Sequence, residues 1–403
     1  MNSVIARNEV TKQSQSRRKP FIACGIMSGT SRDGIDVAIV EIGGRYPRNR
    51  IRHIHSEDYQ YPGSVRELLM KEPEELALQD VAGMRFMLGR LFGEKALQTI
   101  NHAGLKPADI DCIGSHGQTL LHLPSGAKLG WRTVSSTLQV GSGAVIAQVT
   151  GITTVTDFRS ADIAVGGEGA PLVPVYDYAT LRSSKKSRIA LNIGGIANLT
   201  GVARGASPKD IVAFDTGPGN CMIDIAVSLL TGGEVGFDRD GEMAHRGEPD
   251  VQELKRLLEH SYFRRKPPKS TGWEEFGVPF TKSVLERMLS RGLSHSTIIS
   301  TLTEFTCESI ARAIRGHVAP LMSVDEIIVT GGGSRNSVLM EGLKTRLPES
   351  EVMTGEALGI PSLTREACAF AYLGYLCLKR IPANIVSQSH GLAPAILGSI
   401  HPT

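Results

Sequence analysis

A glycine-containing turn between two β-rich runs occurs twice in this chain, about 170 residues apart, and that repetition limits the fold more than any other feature. The first copy runs from Phe21 to Met27, turns through Ser28, Gly29, Thr30, Ser31, Arg32, Asp33 and Gly34, and continues from Ile35 to Ile42. The second runs from Arg188 to Ile193, turns at Gly194 and Gly195, and continues through Leu199 to Ala203. Each reads as a hairpin, because apolar β-formers bounded by Gly, Ser, Thr and Asp favour paired strands. A duplicated domain whose opening hairpins face one cleft accounts for both. A length of 403 residues exceeds what one hydrophobic core organises, which also favours two domains.

Between the hairpins, helical periodicity dominates residues 63 to 104, through Leu76, Leu78, Val81, Met84, Phe86, Met87, Leu91 and Leu97. Short strands are predicted at Ile110 to Gly114 and Thr153 to Phe158, with a helix through Ala144 to Val149 between them. In the second half a strand is predicted at Asp210 to Phe214 and a long helix through Ile298 to Val318. Ile327 to Thr330 forms a strand before Gly331, Gly332 and Gly333, a helix follows to Leu347, and Arg365 to Arg380 forms an apolar helix. The class is α/β with two related lobes. Residues 21–155 with about 385–403 are assigned to the first domain, residues 156–384 to the second, and residues 1–20 to a disordered tail.

Charge argues against a polyanionic partner. The 44 Lys and Arg against 41 Asp and Glu leave only +3, so nucleic acid is not expected. No apolar run approaches a membrane span, and none is expected. Six cysteines without a C-x-x-C pair or histidines at zinc spacing suit a reducing cytoplasm.

Three glycine turns after strands, Ser28 to Gly34, Asn192 to Gly195 and Gly331 to Ser334, share one physical use. Glycine lets backbone N–H groups approach an anion closely, so converging strand ends cradle a phosphate. Taken singly, each is better read as a plain turn; three together favour a nucleotide. No Walker loop is present. Asp215 ends a strand before Gly217, Pro218, Gly219 and Asn220. A carboxylate there accepts a proton from water or a hydroxyl, helps hold magnesium, or caps the next helix, and the residues alone do not choose among these. Ser115 to Thr119, Asp157 to Asp162 and Glu168 to Pro171 are polar clusters of the kind that bind sugar hydroxyls, although His116 alone is more often structural. The loop Pro267 to Gly272 reads as a solvated connection. Asp238 to Gly241 is too sparse for a metal site.

Taken in order, these motifs resemble the anhydro-N-acetylmuramic acid kinase family, within the sugar kinase, Hsp70 and actin superfamily, from about Gly25 to near the C-terminus. The carriers are Met27 to Ser31 with Asp33 and Gly34, Ser115 to Thr119, Asp157 to Arg159, Gly169 to Val173, Asn192 to Gly195, Phe214 to Asn220, Pro268 to Gly272 and Gly331 to Gly333. The resemblance implies two ribonuclease H-like, actin-like lobes around a nucleotide cleft, and an enzyme that opens a 1,6-anhydro bridge with water while phosphorylating O6 from ATP. It implies that Asp215 activates the water and that magnesium bridges the phosphates, with Asp215 and Glu366 as its protein ligands. Residues Ser28 to Ile35, Asn192, Gly194, Gly195 and Gly331 to Gly333 then hold the nucleotide, and His116, Gln118, Asp157, Arg159, Gly217 and Asn220 the sugar. A cytoplasmic homodimer is implied as well.

Arg32, Ser142 and Trp273 depart from the family pattern near the expected sugar side. They keep levoglucosan as an alternative substrate. A catalytically silent nucleotide sensor and a chaperone-like module are the readings from other classes.

Overall fold

The computed structural model of the chain describes residues 19–29, 34–71 and 75–403. The expected tail up to residue 18, and Thr30, Ser31, Arg32 and Asp33 of the first turn, lie outside the described residues.

Two sheets carry the architecture. The first contains β1 (Phe21–Ser28), β2 (Gly34–Gly43), β3 (Arg50–Gln60), β4 (Cys112–Leu129), β5 (Arg132–Val140) and β6 (Thr154–Thr156). The second contains β7 (Arg188–Ile193), β8 (Ile196–Val202), β9 (Val212–Pro218), β10 (Glu326–Thr330) and β11 (Glu351–Thr354), and β12 (Ser399–His401) returns to the first.

The five central strands of the first sheet run in the order β3-β2-β1-β4-β6, and the second sheet runs β9-β8-β7-β10-β11. In both, three consecutive strands pair antiparallel and two later strands add parallel to the first. The same path traced twice is the duplicated, ribonuclease H-like arrangement expected from the paired hairpins. Both lobes therefore point the ends of their parallel strands, Ser28, Thr156, Ile193 and Thr330, toward crossover turns, where open α/β sheets bind ligands.

The central strands are covered on both faces and read as near-continuous apolar runs. Ile189, Leu191 and Val329 pack outward beneath the helices His295–Ala313 and Ser337–Arg346, while Ala190 and Ile328 face the space between the sheets. Cys24, Ile26 and Ile39 pack outward under the helix Leu78–His102. Two helices fill the middle layer, Pro174–Leu181 and Arg365–Leu378. A mostly helical insertion between β9 and β10 builds its own core around Phe276, Ile299 and Phe305.

The helix Arg365–Leu378 follows β11 in sequence, within the 156–384 assignment, yet it packs against β1, β2 and β4 of the first sheet. Glycines permit this contact. A Cβ at Gly25 would lie 1.8 Å from the Ala367 carbonyl oxygen, and one at Gly114 would lie 2.0 Å from that of Phe370. The helix meets the strands through Ala367, Ala371 and Gly374, spaced to form one small-residue face. At the helix start Arg365 makes a buried, two-pronged ion pair with Asp177 of the other middle helix, Nε to Oδ1 at 2.9 Å.

Adding a methyl group at Gly25 forces helix and strand apart. Gly25→Ala should lose about 1–3 kcal/mol in a urea melt through overpacking. Gly83→Ala, exposed in a helix with nothing within 4 Å of its Cβ, should be neutral or gain up to about 1 kcal/mol from helix propensity.

Candidate active site

The first wall grows from β1. Ser28 is buried at the strand end, where its Oγ lies 2.7 Å from the Tyr61 hydroxyl and 2.6 Å from Gln118 Oε1. The Gln118 amide donates to the Gly29 carbonyl at 3.1 Å. Ser28 and Gln118 thus fasten both sides of the first glycine turn, with Gly34 beginning β2 beyond it. The Ile35 side chain is buried in the core.

His116 lies beside this turn, 4% exposed and tilted against the Phe370 ring at 4.8 Å. Arg159 Nε donates to His116 Nε2 at 3.1 Å, which leaves Nδ1 to donate to the Gly117 carbonyl at 2.9 Å. Burial and the adjacent guanidinium push the imidazole down to about 3, so His116 is neutral. Arg159 also donates to the Gly169 carbonyl at 2.7 Å. Burial pushes Arg159 down to about 10, opposed by the charge of Glu366. Glu366 itself is raised by burial and lowered by Arg365 and Arg159. Phe370, which packs on His116, lies one helical turn beyond Glu366. Asp157 adopts the left-handed conformation, φ 57°, with Oδ1 accepting from Ser160 Oγ at 2.5 Å.

The second wall is built from turns of the second sheet. Asn220 donates from its backbone to the Gly194 carbonyl at 2.8 Å and from its side chain to the Ile193 carbonyl at 3.2 Å. Gly219 donates to the Gly195 carbonyl at 2.9 Å. Gly331 sits at φ 80°, where a Cβ would lie 2.6 Å from Asn192 Oδ1, and a Cβ on Gly333 would meet the Ile193 side chain at 2.4 Å. Gly332 lies near the Asn220 amide. Asn192, Gly194, Gly195, Gly217, Asn220 and Gly331 to Gly333 therefore converge at one sheet end.

Asp215 belongs to this wall. Register shifts between Ala197 and Asn198, which pair with Gly217 and Asp215, leaving Thr216 as an extra residue on β9. Such a bulge re-aims the neighbouring side chain. Gly217 completes it at φ 142°, under the Phe263 ring. Asp215 Oδ2 accepts from the Thr271 N–H at 3.0 Å, and its backbone N–H donates to the Lys269 carbonyl at 3.1 Å. Tyr262 donates its hydroxyl to the Asp215 carbonyl. Burial raises the carboxyl to about 6, with Glu274 adding to the rise and the Thr271 N–H and Lys269 opposing it. A carboxylate poised there is suited to accept a proton near neutrality.

The two walls join through the backbone. Gly331 donates to the Ser362 carbonyl at 2.8 Å, and Glu356 accepts from the Ser362 N–H and hydroxyl at 2.9 and 2.8 Å. Four residues later Glu366 meets the charge of Arg159 on the first wall. The charges that shift Asp215 are Glu274 and Lys269, and those that shift Glu366 are Arg365, Arg159 and Asp177. Among the described residues no group of three or more His, Cys, Asp or Glu side chains is placed to hold a metal. One or two carboxylates suit a magnesium ion that takes its remaining ligands from phosphate and water.

Several participants escaped residue-level reading. The loop Pro267 to Gly272, read as solvated, supplies the backbone groups that hold Asp215. Trp273 covers the second glycine turn, with a Cβ on Gly195 only 3.3 Å from its ring. Ser142 is buried at the start of the helix Gly143–Thr150, where its N–H donates to the Arg85 carbonyl at 2.7 Å. Asp162, read within a sugar-binding cluster, is fully buried and accepts from Gly169, Asn384 and Ser389, tying the C-terminal segment down.

Residues 21–403 match the family model for anhydro-N-acetylmuramic acid kinase. A protein of that name from Caldanaerobacter subterraneus subsp. tengcongensis is 40% identical over 382 residues, covering 94% of this chain and 96% of that one. Its namesakes from Gloeobacter violaceus and Salinibacter ruber are 39% and 36% identical, covering 95% of this chain and 99% and 97% of their own lengths. Among solved structures, the activator of the 2-hydroxyisocaproyl-CoA dehydratase from Clostridium difficile aligns at 10% identity over 89% of this chain and 96% of that one, with a TM-score of 0.44, a likeness too slight to carry weight. Near-complete coverage at these identities settles the assignment: the chain belongs to the anhydro-N-acetylmuramic acid kinase family.

Proposed function

We propose that this protein is an ATP-dependent kinase that hydrolytically opens the 1,6-anhydro ring of anhydro-N-acetylmuramic acid. Asp215 takes a proton from water as the water oxygen bonds to C1 and the C1–O6 bond breaks. O6 then takes the γ-phosphoryl group, giving ADP and N-acetylmuramic acid 6-phosphate. The observation that carries this reading is Asp215 itself, a carboxylate raised to about 6 on the wall where the turns at Gly194 to Gly195 and Gly331 to Gly333 meet. Oδ2 is engaged by Thr271, and Oδ1 has no protein hydrogen bond among the described residues. Family membership supplies the substrate.

The remaining assignments follow from the same reading. Backbone N–H groups of the turns at Gly29 to Gly34, Gly194 to Gly195 and Gly331 to Gly333 hold the nucleotide. Arg159 and Asp157 contact the sugar, while His116, Gln118 and Asn220, already engaged with backbone, act by holding the turns. Magnesium, when bound, neutralises phosphate charge, and Glu366 and Asp215 are the residues proposed to hold it. Six buried, unpaired thiols support a cytoplasmic location, and no described helix is long and apolar enough to cross a membrane. A homodimer is proposed on the family resemblance alone.

An ADP-release assay with ATP, magnesium and anhydro-N-acetylmuramic acid should show turnover with a 6-phosphosugar product, and much less with levoglucosan; no product from either sugar would contradict the reading. Turnover at subsaturating sugar should fall about tenfold per pH unit below about pH 6, as Asp215 takes up its proton. Asp215→Asn should abolish turnover and leave ATP affinity nearly unchanged, read by product formation and by nucleotide titration. The same variant should be more stable than wild type by about 3 kcal/mol at pH 8 and equal to it near pH 4 in urea melts. The sign follows from a raised carboxyl: between the unfolded value near 4 and about 6 the folded chain holds the extra proton, so wild-type stability declines as pH rises through that window.

A further inference from the structure

A second polar cavity lies away from the candidate active site. It has a volume of about 250 Å³ and is bounded by the start of β3 (Asn49 to Ile51 and His53), the helix Pro174–Leu181 with Arg182, and the turn Leu358 to Ile360 after β11. It therefore opens on the seam between the lobes. Gly43 pairs with Arg50 and Gly34 with Gln60, so the cavity and the first glycine turn lie at opposite ends of β2, about 30 Å apart by strand rise.

Its lining is cationic. Arg50, His53 and Arg182 face it, and no carboxylate is among the lining residues. Two residues of the lining, His53 and Arg182, carry buried side-chain nitrogens, Nε2 and Nε, that have no hydrogen-bond partner among the described residues. Arg182 is held in place by its other nitrogen, Nη2, which donates to the Asn49 carbonyl at 3.2 Å. Asn49 is itself fixed by the Tyr372 and Tyr375 hydroxyls. Leaving buried nitrogens without partners is costly, and an oxyanion drawn into this cavity would offer them acceptors. An anion beside His53 also favours its doubly protonated form, offsetting the burial that now keeps it neutral.

We propose that this cavity is a second binding site for a phosphate group, distinct from the nucleotide cleft, with Arg182, Arg50 and His53 as its donors. Free phosphate and a sugar phosphate present the same tetrahedral oxyanion. The volume accommodates phosphate with one sugar ring more readily than a nucleoside triphosphate. An occupant touches Tyr176, Ala179 and Thr180, on the helix whose Asp177 pairs with Arg365, the residue before Glu366.

Calorimetric titration tests this with the full chain saturated by a non-hydrolysable ATP analogue, which blocks the phosphate turns. Inorganic phosphate and glucosamine 6-phosphate are the two probes. The phosphate chemistry is independent of the proposed reaction; only the choice of a sugar phosphate draws on it. Saturable binding of either probe is expected, weakened about tenfold or more in Arg182→Met and measurably in Arg50→Ala, whose exposed side chain makes misfolding no explanation. Tighter binding of the sugar phosphate identifies a monoester as the natural occupant, and equal binding identifies free phosphate. Absence of saturable binding by both probes, or binding unchanged in both variants, overturns the proposal whether or not the kinase activity is found.

Discussion

The contact of helix backbone on strand backbone at Gly25 and Gly114 is the constraint on which the rest of the molecule depends. A helix that follows the last strand of the second sheet lies on the first, and it fits only because neither strand carries a Cβ at the crossing. Close approach brings the start of the helix to the cleft. There Arg365 is locked to Asp177 and Glu366 is delivered to Arg159. Buried ion pairs of this kind add little net stability, but losing one partner leaves an uncompensated charge costing about 3–5 kcal/mol. The pair therefore fixes the position of the helix more than it strengthens the fold.

The two walls solve different electrostatic problems. On the first, a neutral His116 accepts from Arg159 and is backed by Phe370, so a buried guanidinium is held without a formal counter-ion in direct hydrogen bond. That leaves a buried positive charge on this wall, balanced in part by the charge of Glu366. On the second, a carboxylate is kept where water is scarce, with one backbone N–H and a nearby lysine limiting the cost. Charge is thus offered on one side and proton affinity on the other, the combination a water-activating phosphoryl transfer requires.

Much of this was legible in residue order. The paired hairpins announced two lobes because glycine turns between β-formers have few other uses, and Asp215 before Gly217 stood out as a carboxylate at a strand end. The polar edge strand β3 did not, since Arg50, Arg52, His53, His55, Glu57 and Asp58 give no apolar run. Strand β4, expected to end at Gly114, continues to Leu129 because its distal half pairs only with β5, across Pro124 and Gly126. The apolar segment at 365–380 was plainly helical, but an all-round apolar helix does not state which sheet it covers. Nor does spacing reveal a pair such as Asp177 and Arg365, which are 188 residues apart. Thr271 acts through its backbone, which residue type cannot report.

Glycine turns from both lobes are proposed to hold one triphosphate opposite the Asp215 carboxylate. A crystal structure of the chain with a non-hydrolysable ATP analogue and an unreacted anhydrosugar tests it directly. The account predicts phosphate oxygens within hydrogen-bond reach of backbone N–H groups from both the Gly29 to Gly34 and the Gly194 to Gly195 turns, and the sugar's C1 one water away from Asp215. Phosphates bound to one lobe alone, or a sugar whose C1 lies out of reach of Asp215, would contradict it.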